Sequence, residues 1–93
     1  MKHAGPATLD LIEPLLAEVR TREGLKERTR GIFYRKGRSL LHFHEDAAGI
    51  FADLAVATAG GQGDLRLRVS TRAEQAALLQ ALDSALQARP SAR

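Results

Sequence analysis

Two short turn signals constrain this chain more than anything else in it. Lys36-Gly37 and Asp46-Ala47-Ala48-Gly49 divide residues 31–56, GIFYRKGRSLLHFHEDAAGIFADLAV, into three strand-length segments. A two-residue loop with glycine second favours a type I′ hairpin, because glycine accepts a positive φ without a Cβ clash. That turn sets Arg35 opposite Arg38, Tyr34 opposite Ser39, Phe33 opposite Leu40 and Ile32 opposite Leu41. The second turn has turn-favouring residues at both ends. It sets Glu45 opposite Ile50, His44 opposite Phe51, Phe43 opposite Ala52, His42 opposite Asp53 and Leu41 opposite Leu54.

Side chains alternate along a strand, so these pairs sort into two faces. Ile32, Tyr34, Leu41, Phe43, Ile50, Ala52, Leu54 and Val56 form an almost wholly apolar face, the expected core. Phe33, Arg35, Arg38, Leu40, His42, His44, Phe51, Asp53 and Ala55 form a mixed face. The two turns give this division independently, and a one-residue slip at either would break it.

The rest of the chain supplies two helices and one more strand. Residues 1–7 have no periodic pattern and read as a frayed, flexible terminus, with His3 a residue of that terminus rather than a ligand. Thr8 is a candidate N-cap for a helix carrying Leu9, Ile12, Leu16 and Val19 on one stripe and running to about Arg22. Pro14 interrupts it: either it sits in the first turn of the helix or it kinks the helix, and one helix with an irregular start, stopped by Gly24, is expected. Residues 57–64, ATAGGQGD, read as a flexible hairpin loop. Their glycines lack the lysine and Ser/Thr of a phosphate-binding loop. Leu65, Leu67 and Val69 alternate with Arg66 and Arg68 as a fourth strand. With Val56 opposite Leu65, Ala55 faces Arg66 and Asp53 faces Arg68. Thr71-Arg72-Ala73-Glu74 is a capping box that opens a helix with a Leu78, Leu79, Leu82, Ala85 and Leu86 stripe, closed by Pro90.

The order α-β-β-β-β-α, with one apolar stripe per helix and one apolar sheet face, predicts an α+β two-layer sandwich. In it a four-stranded antiparallel meander carries both helices on one face. Residues 8–89 form a single domain and 90–93 a tail. Similar connectivity occurs in frataxin-like and YjbR-like domains, although the acidic ridge that frataxin uses for iron is absent. The run FYRKGRSLLHFHEDAAGIFADL resembles one found in short bacterial proteins of no assigned function, which implies a compact domain and no particular chemistry.

Several function classes are excluded or narrowed by composition. The 93 residues contain no cysteine, which removes disulfides, thiolate metal sites and cysteine nucleophiles. No apolar run reaches the ~20 residues that span a bilayer, and the first residues lack the apolar stretch of a secretory signal, so a soluble cytoplasmic protein is expected. No serine has a His/Asp setting suited to nucleophilic catalysis. The adjacent Glu45-Asp46 pair is a turn feature. No enzymatic activity is predicted and no cofactor is expected.

Three candidate sites follow. On the mixed face, Phe33, Leu40, His42, Phe51, Asp53, Ala55, Arg66 and Arg68 would present apolar surface ringed by polar groups, which predicts a homodimer stacked sheet to sheet. Residues 20–38 carry eight basic side chains against Glu23 and Glu27, so Arg28, Arg30, Arg35, Lys36 and Arg38 are candidates to hold nucleic acid or another anion. His42 and His44 at i and i+2, with Asp53 opposite His42, make a conceivable metal set. The preferred reading is that His42 and Asp53 are a cross-strand polar pair with Arg68 on the other side of Asp53, because an open sheet face lacks the outer groups that orient ligating histidines.

Overall fold

The computed structural model describes residues 1–87. The chain runs β1 (Lys2–His3), α1 (Pro6–Leu11), α2 (Glu13–Arg20), β2 (Lys26–Thr29), β3 (Ile32–Arg35), β4 (Arg38–Asp46), β5 (Gly49–Thr58), β6 (Gly61–Arg68) and α3 (Arg72–Gln87). Strands β2 to β6 form an antiparallel meander in chain order, and β1 pairs with β4. The fold is α+β as expected, with more elements than the sequence suggests. The Pro90 stop and the proposed tail lie outside the described residues.

The first helical segment is two helices. Pro6 sits in the first turn of α1, where a missing N–H costs nothing. Gly5 rather than Thr8 precedes the helix, and Thr8 is buried within it. Ile12, at φ −108° and ψ 18°, separates α1 from α2, and Pro14 lies in the first turn of α2. A proline disfavours helix at the residue before it, so the break falls immediately upstream.

The β4–β5 pairing matches the sequence reading at every position from Leu41–Leu54 to Glu45–Ile50. The Lys36-Gly37 turn also forms, with φ of 52° and 81° at the two residues, as a type I′ turn requires. The β3–β4 pairing departs beyond it. Tyr34 faces Ser39 as expected, but Phe33 faces Leu41, because an irregularity intervenes. The extra residue, Leu40, is a β-bulge, which lets two consecutive residues turn to the same side. Leu40 and Leu41 are both buried, and Phe33 is only 1% exposed. Phe33 and Leu40 therefore belong to the core and not to the mixed face, whereas Ile32 and Tyr34 are only half-buried.

Two further differences concern length. Residues 26–29, to which the sequence pattern assigns no strand of their own, form β2 against β3, with Glu27 opposite Phe33 and Thr29 opposite Ile32. Residues 57–64 are mostly strand, since β5 and β6 pair out to Thr58–Gly61. Leu65 thus faces Leu54 instead of Val56, a slip of two that keeps each side chain on its expected face.

One hydrophobic core joins the layers. Leu9, Ile12, Leu15, Leu16 and Val19 from α1 and α2 meet Phe33, Leu41, Phe43, Ala52 and Leu54 from the sheet and Leu78 and Leu82 from α3. Ion pairs brace its rim. Arg22 forks onto Asp83 at 2.9 and 3.0 Å, tying the end of α2 to α3. Arg20 links Glu13 on α2 to Glu27 on β2. The capping box closes as written, with the Thr71 N–H donating to Glu74 and the Glu74 N–H donating to Thr71 Oγ1.

Candidate metal centre

The helix-free face of the sheet carries the polar chemistry of this chain. His42 and His44 alternate along β4 and so share that face. The third histidine arrives from the N-terminus. β1 lies along β4 with His3 opposite His44 and Lys2 opposite Glu45. Backbone and side-chain bonds pin the arm there: the Ala4 N–H donates to the Phe43 carbonyl at 3.1 Å, and the Gly5 N–H to Glu45 Oε2 at 2.7 Å. The Gly5 N–H and the Thr8 hydroxyl hold the Glu45 carboxyl below its ordinary pKa. Glu45, expected to be a turn residue, is the anchor of this arm.

These contacts bring His3, His42 and His44 together. One nitrogen from each ring lies within 4.8 Å of the others. Ring centroids are 4.7 Å apart for His3–His44, 4.9 Å for His42–His44 and 6.1 Å for His3–His42. Tetrahedral coordination at Zn–N ~2.0–2.1 Å places ligand nitrogens roughly 3.3 Å apart. His3 is the exposed member of the three, and His42 and His44 are half-buried.

Asp53 belongs to the surround of this cluster. It sits opposite His42 as expected, yet it faces Arg66 and not Arg68 on β6. Arg66 forks onto both of its oxygens at 2.6 and 2.7 Å. The carboxylate is 4% exposed, and this guanidinium keeps its pKa low against the opposing effect of burial. Asp53 Oδ2 also lies 3.1 Å from His44 Nδ1, off the direction of an N–H donor, so the contact is electrostatic rather than a formed hydrogen bond. Burial lowers the pKa of His44, partly offset by Asp53 and reinforced by His42 and His3. The Nδ1 atoms of His42 and His44 are buried and have no hydrogen-bond partner. Buried polar nitrogens of this kind call for a partner.

The other expected sites fare differently. Of the sheet-face patch, Phe51 remains half-buried, Ala55 packs at the margin of the core, and Phe33 and Leu40 have gone into the core. Arg68 is held by the Ala48 carbonyl and Glu74. The five candidate anion binders are dispersed. Arg30 is paired with Asp10 and Glu13. Arg28 lies over the Tyr34 ring, 4.8 Å from its centroid. Arg35 donates to the Ala85 and Leu86 carbonyls at the end of α3. Lys36 and Arg38 stand exposed at the hairpin tip. Among the described residues, no helix is long and apolar enough to cross a membrane.

Comparison of the chain with protein-family models, with curated proteins and with solved structures finds no match to any of them.

Proposed function

We propose that this protein is a small metal-binding module that holds a divalent transition-metal ion, zinc foremost, on His3, His42 and His44. The observation that carries this reading is the convergence of three imidazoles from two strands, with ligand nitrogens within 4.8 Å. Imidazole donors suit zinc, copper and nickel, and the chain has no thiolate to favour a softer ion. The setting of Asp53 supports the same reading. A carboxylate beside the far nitrogen of a ligating histidine is the usual way its ring is oriented, and here Arg66 holds that carboxylate in turn. Three protein ligands leave one position of a tetrahedral ion to solvent.

Zinc titration against a competing chromophoric chelator tests it. One equivalent should bind, and His3→Ala, His42→Ala and His44→Ala should each weaken binding by at least about tenfold. At a free zinc concentration a hundred times Kd, the stability gain should be about 2.7 kcal/mol. Binding that survives His3→Ala unchanged would discard the three-histidine site.

A further inference from the structure

A second site lies on the opposite side of the sheet, at the end of α3. Ala81 and Ala85 present only methyl groups where α3 passes over the sheet, so the helix does not fill the space above Val56 and Leu65. The result is an open cleft of about 740 Å³, within the size range of small-molecule sites. Its floor is apolar, with Leu40 at one wall and Leu65 left 38% exposed. Its mouth is cationic. Arg35, Lys36 and Arg38 line one end, and no acidic residue lines the cleft among the described residues.

These cations differ from five of the arginines elsewhere among the described residues. Arg20, Arg22, Arg30, Arg66 and Arg68 all pair with carboxylates. Arg35, Lys36 and Arg38 have no acidic partner among the described residues. The guanidinium of Arg35 is spent on the last carbonyls of α3, which leaves Lys36 and Arg38 to meet a ligand. An apolar trough ending in unpaired cations fits a ligand that is apolar along its length and anionic at one end. A second copy of the chain fits poorly, because a two-fold contact would set one cationic mouth against another. A nucleic acid would leave the apolar floor uncovered.

We propose that this cleft binds a long-chain carboxylate, its alkyl chain between α3 and the β5–β6 hairpin and its head group at Lys36 and Arg38. Burial of the methylenes supplies the attraction, and the charge-assisted contacts fix the direction of the chain.

Titrating the full chain with laurate below its micellar concentration, followed by amide NMR, tests this. Saturable shifts are expected at Leu40, Leu65 and Ala85. Dodecyltrimethylammonium, with the same chain and the opposite charge, should bind at least about tenfold more weakly, and Arg38→Glu should weaken laurate by a similar factor. Ala81→Leu, which fills the cleft from a helix position that tolerates leucine, should abolish binding while leaving the rest of the spectrum in place. Equal affinity for the two amphiphiles, shifts centred elsewhere, or self-association through this face without laurate uptake would overturn the proposal.

Discussion

Asp53 Oδ2 stands 3.1 Å from His44 Nδ1, and the same carboxylate accepts from Arg66 through both oxygens. Arg66, Asp53 and His44 thus form one chain of contacts, and in the proposed metal site this carboxylate would orient the His44 ring. Asp53→Asn preserves the shape and removes the charge. Zinc affinity should fall roughly tenfold, the usual effect of losing an orienting carboxylate, whereas stoichiometry stays at one. Full affinity in this variant, measured by chelator competition, would remove Asp53 from the site.

The same carboxylate should appear in the pH dependence of stability. Its pKa in the folded protein is held below the ordinary value by Arg66. Its contribution is therefore present above the unfolded value of about 3.9 and is lost as pH falls through the folded one. Urea midpoints should drop between pH 5 and pH 3. In Asp53→Asn the drop should be smaller, with the remainder due to Glu13, Glu27, Glu45, Glu74 and Asp83, whose pKa values are also lowered.

The bulge at Leu40 separates two phenylalanines that strand alternation alone would put on one face. Phe33 is enclosed by the core, and Phe51 is half-buried on the helix-free side beside Arg68. Phe33→Ala should cost about 3–5 kcal/mol. Phe51→Ala should cost much less, and denaturant unfolding of the two variants would compare them directly. Comparable losses would mean that β3 is paired without the bulge.

Thr71→Ala should cost about 1 kcal/mol by removing the cap of α3. Glu74→Ala should cost at least as much. Its carboxylate accepts from the Ser70 and Thr71 N–H groups and pairs with Arg68, so three donors lose a partner together. Thermal unfolding monitored by far-ultraviolet circular dichroism would rank the two.

The features legible in the sequence are those set within a few residues. The type I′ turn at Lys36-Gly37, the β4–β5 register and the Thr71–Glu74 box each follow from a local pattern whose alternatives expose apolar side chains or leave helix-end donors unpaired. His42 and His44 share a face for the same local reason, and that half of the candidate metal centre could be read before folding. Tertiary structure decided the remainder. Leu40 and Leu41 are chemically identical, so hydrophobic alternation cannot say which one opposes β3. The bulge that buries both, and sends Phe33 inward, is chosen by how the core fills. His3 lies in a segment with no periodicity at all. Two residues of strand carry no recognisable pattern, and β1 exists because β4 offers an edge that β3 does not cover and because Glu45 receives the Gly5 N–H. The pairing joins residues about forty positions apart, and it is this long-range contact that turns two strand histidines into a set of three.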